Sequence, residues 1–261
     1  MKIFFIDETH EYFNESQVPY ISVSGLAKKL EPQKDWETIK AKYAAKNGMT
    51  IEEVTADWEN KKILGTQTGT IFHNEREREL LAQDCIEYKK VKHNIVPSSF
   101  QGKWKVSLDL STLQNNTCYP EIILYHHGYR LAGQSDKLLV TKGKVSILDY
   151  KTDKEISFKA FQSAIKPPDM LLSPVDHLEE CNGNMYNLKM SLYMWMALQA
   201  NPKLKPGEII LEHYSLERDM NGIAILKDGL PVIKERKDYK LPYLEREVTD
   251  ILTTWKPYAK P

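Results

Sequence analysis

Apolar and polar residues alternate at the start of the chain with the two-residue period of β-strands. The stretches KIFFID, HEYF and VPYISV within residues 1–23 predict a hairpin. Apolar positions then recur with helical spacing over residues 24–62. Gly48 is predicted to end one helix, and Thr50, followed by Glu53, predicts a capping box at the start of the next.

The rest of the chain predicts a second group of strands between helices. Residues 65–90 are predicted to form a longer helix, entered through glycine-rich turns. Three strands follow from about Pro120, with turns at Gly128 and at residues 142–143. The later elements are an irregular excursion or lid (164–184), a strongly apolar helix (185–200), two strands (208–217 and 222–229) and a last helix (241–255).

These elements predict an α/β fold in which helices flank a mixed central β-sheet. No internal repeat or long linker interrupts residues 1–261, so we expect a single domain. Within it, residues 1–64 are expected to form an N-terminal hairpin and helical elaboration, and residues 65–261 the core. Hydrophobic residues make up 41% of the chain and charged residues 28%, which is typical of a globular protein.

The sequence also argues against several classes of protein. No apolar run approaches the roughly 20 residues of a membrane helix, and acidic residues interrupt the N-terminal apolar run before a signal-peptide core is complete. Cys85, Cys118 and Cys181 form no C-x-x-C pair, which argues against a zinc knot and an iron–sulfur cluster. We therefore expect a soluble cytoplasmic protein that does not bind a membrane.

The charge balance bears on possible partners. The chain carries 36 basic and 36 acidic residues, so attraction to a polyanion requires a local basic patch. Lysines near the central strands are candidates for such a patch: Lys142, Lys144, Lys154, Lys159 and Lys166.

Candidate chemistry begins in the stretch SILDYKTDKE, residues 146–155. In a β-strand, Ile147, Asp149 and Lys151 point to one face, while Leu148 and Tyr150 point to the other. Taken alone, the two opposite charges are most simply a weak ion pair at a strand end.

Asp136 changes this interpretation. The chain between Asp136 and Asp149 is long enough to turn at residues 142–143 and bring both carboxylates together across two antiparallel strands. Neighbouring carboxylates repel each other unless a cation lies between them or one is protonated. A hard divalent ion such as Mg²⁺ would resolve this conflict, and Lys151 would then orient an attacking water or contact a phosphate. Such a set is suited to phosphodiester hydrolysis, and the two charges are then better explained as partners of a substrate than of each other.

The segment GQSDKLLVTKGKVSILDYKT, residues 133–152, resembles the core of the PD-(D/E)XK nuclease superfamily. In that core an acidic residue on one strand precedes an acid-x-Lys triplet on the next. The wider pattern is similar to the RecB-like exonuclease branch, and the opening HEYFNESQVPYISVSGL, residues 10–26, resembles its bacteriophage members. The resemblance implies a restriction-endonuclease-like core.

The same resemblance implies the parts of a metal site. In GTIFH, residues 69–73, a glycine-initiated helix would present a histidine ligand, and a glutamate would precede the first aspartate. The implied ligands of Mg²⁺ or Mn²⁺ are His73, Glu121, Asp136, Asp149 and the main-chain carbonyl of Tyr150. Asp136, Asp149 and Lys151 are implied as the catalytic residues.

One departure from the branch concerns the helix after these strands. The branch commonly carries Q-x-x-x-Y there, whereas this chain reads KMSLY, with Tyr193 in place and Lys189 where glutamine is expected. We expect both to contact substrate, Lys189 as a point charge for phosphate and Tyr193 by stacking on a base.

The resemblance therefore implies a Mg²⁺- or Mn²⁺-dependent DNA nuclease. The favoured activity is that of an exonuclease or flap-processing enzyme on single-stranded ends, acting with replication, recombination or repair proteins, and in the host cytoplasm if the protein is phage-encoded. Two alternatives stay open: a structure-specific endonuclease of the same fold, and a nucleic-acid-binding protein without turnover.

Overall fold

The computed structural model describes residues 1–162 and 167–255. Helices flank a mixed central sheet of parallel and antiparallel strands, so the predicted α/β class is confirmed. The helices are α1 (Val23–Lys28), α2 (Trp36–Asn47), α3 (Ile51–Leu81), α4 (Asn182–Ala200) and α5 (Glu245–Thr254). None of the helices in these residues has both the length and the apolar character that crossing a membrane requires.

The strands are numbered in chain order. They are β1 (Ile3–Ile6), β2 (Glu11–Asn14), β3 (Pro19–Ser22), β4 (Cys85–Tyr88), β5 (Val91–Ile95), β6 (Ser99–Gln101), β7 (Trp104–Val106), β8 (Thr117–His126), β9 (Leu131–Thr141), β10 (Lys144–Lys151), β11 (Lys205–Leu216), β12 (Leu226–Lys227), β13 (Leu230–Pro231) and β14 (Ile233–Leu241).

The central sheet contains twelve of these strands in the described part of the chain. The order of strands along its main path is β14–β11–β10–β9–β3–β2–β1–β7–β6. A branch leaves this path at β9, which also pairs with β8; β8 pairs with β5, and β5 pairs with β4. β9 pairs antiparallel with β8 and β10 and parallel with β3, whereas β10 pairs parallel with β11. β12 and β13 form a separate small ribbon.

The predicted start of the fold is confirmed. β1 and β2 form an antiparallel hairpin, and β3 links this hairpin to β9. Gly48 follows α2 with a φ of 64°, in the left-handed region that glycine adopts readily. Thr50 and Glu53 form the expected capping box, with hydrogen bonds of 3.1 Å and 2.8 Å between their side chains and backbone N–H groups.

The prediction of glycine-rich turns before residue 71 is wrong. α3 continues without a break through Gly65 and Gly69, because its capped first turn and its neighbours outweigh the cost of about 1 kcal/mol per helical glycine. α3 therefore crosses the expected boundary between residues 64 and 65. It ends at Leu81, and residues 85–88, expected as helix, form β4 by pairing with β5.

Other differences lie at the periphery of the sheet. Sequence patterns did not predict β4 to β7, nor β14, whose residues IKERKDYKL are mostly exposed and become a strand through antiparallel pairing with β11. Only Leu226–Lys227 of the strand expected over residues 222–229 is formed. Before it the chain turns tightly, since Asp219 Oδ1 accepts backbone N–H bonds from Asn221 and Ile223, each 2.9 Å long.

The predicted alternation of β10 is confirmed, since its two faces pack against different parts of the protein. Ile147 belongs to the large core that includes the apolar face of α4. Leu148 lies in a separate cluster, and Tyr150 packs with Phe72 of α3 and with Tyr214. Asp149 and Lys151 therefore project from the face of β10 that points toward α4.

One edge of β9 changes partner partway along the strand. Its residues 131–132 pair with β3, and residues 137–141 pair with β10. Residues 133–136 of this edge pair with neither strand, and Asp136 lies in that gap. Gly133 is required for close packing there, because a Cβ atom would lie only 2.6 Å from Cε1 of Tyr193 and 2.9 Å from Cγ2 of Val23.

Candidate functional site

Asp136 lies at the centre of a row of three carboxyl groups. The pairs Pro120–Lys137 and Ile122–Ser135 flank it, so the register of β8 and β9 sets Glu121 directly opposite Asp136. On the other side the last pair of β9 and β10 joins Lys137 to Leu148, so Asp149 occupies the next position, opposite Asp136. Three neighbouring strands thus each contribute one acidic residue at the same level of the sheet.

Glu121 interrupts the regular geometry of β8. Its φ is 48°, an uncommon backbone conformation for a residue that is not glycine. Gln134 Nε2 donates a hydrogen bond to Glu121 Oε2, which orients the carboxylate within the sheet. Backbone strain of this kind persists where surrounding structure holds it and is frequent at functional sites.

His73 joins this row from α3. Its Nδ1 atom lies 3.1 Å from Oδ1 of Asp136, and ligand atoms of His73, Glu121 and Asp136 all lie within 4.8 Å of one another. Asp149 lies outside this close group, and its Oδ2 accepts a hydrogen bond from Lys151 Nζ. The two opposite charges of the D-x-K stretch therefore contact each other in this structure.

The end of β10 is attached directly to Asp136. The backbone N–H of Tyr150 donates to Asp136 Oδ2, and Lys151 Nζ donates to the Tyr150 carbonyl oxygen over 2.6 Å. That carbonyl lies beside Asp136 and Lys151 and already accepts a hydrogen bond from Lys151, and its predicted role as a metal ligand stays a prediction.

The opposite face of β10 anchors this arrangement. The Tyr150 ring meets Phe72 with centroids 6.1 Å apart, and the Lys137 ammonium lies 4.6 Å from the Tyr150 ring centroid. Lys137 also pairs with Glu212 over 2.9 Å, and both side chains are buried. A buried ion pair and an aromatic cluster therefore support the strand that carries Asp149 and Lys151.

Burial makes the row electrostatically unfavourable when no cation is bound. Removal from water, followed by repulsion from Asp136, raises the pKa of Glu121 to about 8. Burial, again followed by Asp136, raises the pKa of Asp149 above its ordinary value. Two of the three carboxyl groups are thus driven toward the protonated state.

Positive neighbours act in the opposite direction. Burial alone would raise the pKa of Asp136, but the His73 ring, Lys151 and the Tyr150 N–H together lower it. Burial likewise opposes charge on His73 and Lys151, yet the adjacent carboxylates raise the pKa of both groups. The site is therefore a compact set of mutually dependent charges.

The donor set fits a divalent cation. It offers two carboxylates and one imidazole within 4.8 Å, which suits Mn²⁺ and, through its oxygen atoms, Mg²⁺. Gln134 Oε1 is buried and has no hydrogen-bond donor among the described residues, although the same amide contacts Glu121. A water bound to such a cation would satisfy this acceptor.

Lys189 and Tyr193 both lie on α4 near the row. The Lys189 ammonium is 5.6 Å from the Tyr186 ring centroid, and Lys151 is 5.2 Å from the same ring. Burial, followed by repulsion from Lys151, lowers the pKa of Lys189. Tyr193 is buried against Gly133, so it offers only part of its surface to a cleft that also contains Asp136.

The predicted lysine patch is only partly assembled. Lys154 borders the site, whereas Lys142 and Lys144 flank the turn at the other end of the β9–β10 hairpin, about 20 Å along the strand from Asp136. Lys159 is exposed beyond β10, and Lys166 lies outside the described residues. The expectation that Lys142 and Lys144 lie at the site is wrong, because strand direction carries them away from it.

Two clefts meet at Gly69 and His73. The first has a volume of about 530 Å³ and includes Lys151 and Lys154, and the second has a volume of about 710 Å³ and includes Glu121 and Asp136. Sequence reasoning did not identify Lys61 and Arg218 of the first cleft, or Gln134 of the second. Of these three residues, only Gln134 could have been found from the sequence pattern. It lies two residues before Asp136 on the same strand, and Asp136 lies opposite Glu121, so Gln134 and Glu121 are diagonal neighbours on β9 and β8.

Comparisons with known proteins add little. No protein-family model and no curated protein matches this chain. The structure described as "Crystal structure of SSO0001" is similar over 90% of this chain and 74% of its own length, with 13% sequence identity and a TM-score of 0.32. A similarity at this level does not assign a fold or a function.

Proposed function

We propose that this chain is a Mg²⁺- or Mn²⁺-dependent deoxyribonuclease of the PD-(D/E)XK superfamily, in its RecB-like branch. The favoured activity is removal of nucleotides or flaps from single-stranded DNA ends. The single observation that carries the proposal is the row Glu121–Asp136–Asp149, with His73 at one side and Lys151 at the other.

Electrostatics supports a charged ligand in this row. The raised pKa values of Glu121 and Asp149 mean that their ionised forms are unfavourable without a compensating cation. A buried ion pair alone would require one carboxylate for Lys151, not three acidic residues at one level. The excess of acidic groups therefore favours a metal site over a purely structural ion pair.

Each residue has a distinct chemical task in this proposal. Asp136, Glu121 and His73 would hold the cation, with Asp149 and the Tyr150 carbonyl completing the site. A divalent ion in this position supplies Lewis acidity, which activates water and neutralises charge on a phosphoryl group. Lys151 orients the attacking water and donates a hydrogen bond to a phosphoryl oxygen as negative charge develops on it.

The dimensions of the first cleft favour a single strand. The first cleft, which also contains Lys151, has a volume of about 530 Å³, in the range of small-ligand pockets, which suits a few nucleotides of a single strand better than a duplex. Association with replication or recombination proteins remains part of the proposal through the family resemblance alone.

The test is cleavage of 5′- and 3′-labelled single- and double-stranded DNA in Mg²⁺, Mn²⁺ or chelator. We expect metal-dependent shortening of linear single strands and no cleavage of circular single strands. Cleavage of the circle would favour the structure-specific endonuclease instead. Tight DNA binding without cleavage in any divalent ion would favour the binding protein and contradict the proposed activity.

A further inference from the structure

The first cleft carries a positive charge that the row Glu121–Asp136–Asp149 does not explain. Its walls come from the middle of α3, the segment after β10, the start of α4 and the turn after β11. Among the described residues, four cationic side chains and one carboxylate line it: Lys61, Lys151, Lys154 and Arg218, against Asp153. The local charge is therefore positive although the whole chain is neutral.

The cations of this cleft differ in how far they are already neutralised. Within residues 1–162 and 167–255, the hydrogen bonds of the Arg218 side chain go to two backbone carbonyls, those of Thr152 and Gly222, each over 3.0 Å. Among the described residues, neither Arg218 nor Lys154 pairs with a carboxylate. Lys61 pairs with Asp57 over 2.8 Å, but Lys61 is exposed and Asp57 is only partly buried, so the pair contributes little.

Asp153, the acidic residue that lines the first cleft in the described part of the chain, already has a hydrogen-bond partner. Asp153 Oδ2 accepts a hydrogen bond of 2.6 Å from the Tyr186 hydroxyl, and the Tyr186 ring lies beside both Lys151 and Lys189. The Asp153 carboxylate is thus turned toward the protein. The positive charges of Lys154 and Arg218, which have no carboxylate partner among the described residues, remain uncompensated.

The second cleft has the opposite character. Its acidic lining residues outnumber its lysines: Asp7, Glu8, Glu77, Glu121 and Asp136, against Lys103 and Lys105. Both lysines are already paired, Lys103 with Glu8 over 3.3 Å and Lys105 with Glu77 over 3.5 Å. The acidic excess of this side disfavours a long polyanion, whereas the positive charge of the first cleft attracts one.

α3 also permits close approach to the floor of the first cleft. Gly65 and Gly69 present no side chain there, and a Cβ atom at Gly65 would meet no atom within 4 Å. A phosphodiester backbone can therefore lie against the helix surface between Lys61 and Lys154.

We propose that the first cleft binds the sugar-phosphate backbone of the substrate strand next to the reacting phosphate, through Lys61, Lys154 and Arg218. The inference rests on the proposed function and extends it by naming the side from which the strand enters. Lys61 and Arg218 are substrate-binding residues in this scheme, because they line the first cleft and do not belong to the row of carboxyl groups around Asp136.

The test compares two double variants with the same change of charge. Lys61→Ala/Lys154→Ala removes two cleft cations and leaves the backbone bonds of Arg218 intact. Lys203→Ala/Lys205→Ala removes two exposed lysines at the start of β11. These lysines lie far from the cleft, because His213, the β11 residue that pairs with Lys151, is eight residues further along the strand than Lys205. Binding of a labelled single-stranded oligonucleotide is measured by fluorescence anisotropy in chelator, over a series of salt concentrations.

We expect the cleft variant to raise Kd by about tenfold or more at low salt, with no such change in the control. The slope of log K against log salt should become less steep by about 1.4, since each lost phosphate contact contributes about 0.7 for a single strand. Equal Kd values and slopes for the two variants would overturn the assignment of this cleft.

A cleavage assay on the same proteins separates this inference from the proposed function. If the parent protein binds DNA but does not cleave it, and only the cleft variant binds more weakly, the binding role of the cleft is supported and the nuclease activity is rejected. If the parent protein cleaves DNA but the cleft variant binds it as tightly as the parent, the nuclease activity is supported and the binding role of the cleft is rejected. A parent that neither binds nor cleaves would overturn both.

Discussion

His73 Nδ1 lies 3.1 Å from Oδ1 of Asp136, a contact between residues 63 positions apart in the chain. His73 belongs to α3 and Asp136 to β9, and the second oxygen of Asp136 accepts the backbone N–H of Tyr150. One carboxylate thus connects a helix, a strand and the backbone of the next strand. Changes in this group should alter ion and substrate binding without disrupting the large core.

Replacement of the D-x-K charges tests the proposed chemistry. Asp149→Asn and Lys151→Met keep side-chain volume while removing the charge that orients water and stabilises the phosphoryl group. We expect metal-dependent DNA cleavage to fall by about a hundredfold or more in each variant, as on loss of one preorganised group that stabilises developing charge. The rate is measured with end-labelled single-stranded DNA in Mn²⁺.

Lys205→Ala on the neighbouring strand is the control for these variants, and it should cleave like the parent. Circular dichroism should show that all three proteins keep their secondary structure. Cleavage at the parent rate by either Asp149→Asn or Lys151→Met would contradict the assigned chemistry.

Glu121→Gln tests the metal row. Burial beside Asp136 makes the ionised carboxylate unfavourable, so the neutral amide should raise the melting temperature in chelator. Mn²⁺ at about 100 times its Kd should stabilise the parent by about 2.7 kcal/mol, and the variant by much less. Thermal unfolding with and without Mn²⁺ measures both effects.

Glu235→Gln, an exposed change on β14, is the matched control and should respond to Mn²⁺ like the parent. An equal Mn²⁺-dependent shift in Glu121→Gln would remove Glu121 from the metal site. A lower melting temperature of that variant in chelator would contradict the electrostatic argument.

Gly133→Ala tests the close packing of β9 under α4. The added methyl group would lie 2.6 Å from Tyr193 Cε1, so we expect a loss of about 1–3 kcal/mol in the free energy of unfolding. Gly65→Ala adds the same methyl group to a helix in open space and should stabilise by up to about 1 kcal/mol. Urea unfolding measures the stability of both variants. A change of stability in the same direction for both would contradict this explanation.

Glu208 predicts how stability depends on pH away from the site. Its carboxylate binds Lys89, Lys240 (2.9 Å) and the Tyr88 hydroxyl (3.1 Å), and these bonds, led by that from Lys89, lower its pKa to about 2. A lowered pKa means that the stabilisation is present above the unfolded value near 4.5 and is lost as pH falls toward 2.

The measurement is the stability difference between the parent and Glu208→Gln as a function of pH. We expect the parent to be more stable at neutral pH and this advantage to shrink between pH of about 4.5 and about 2. Glu87→Gln, an exposed change on neighbouring β4, should show no such dependence. A difference that is constant across this range would refute the proposed contribution of Glu208.

Several features were predictable because their physical causes are local. The capping box of Thr50 and Glu53 and the left-handed Gly48 depend on a few adjacent residues. The opposite faces of Ile147 and Tyr150 follow from the strand period alone. By contrast, the exposed residues of β14 become a strand only because β11 offers an edge to pair with.

The sequence by itself determined the α/β class, the alternation that sets Asp149 beside Lys151, and the turn that returns β10 to β9. Only the tertiary structure decided that Glu121 lies opposite Asp136, that His73 reaches the same carboxylate, and that Lys142 and Lys144 lie far from it. The difference has a physical reason. Hydrophobic periodicity and helix caps depend on a few neighbouring residues, whereas these long-range contacts depend on strand register and on how a long helix packs across the sheet.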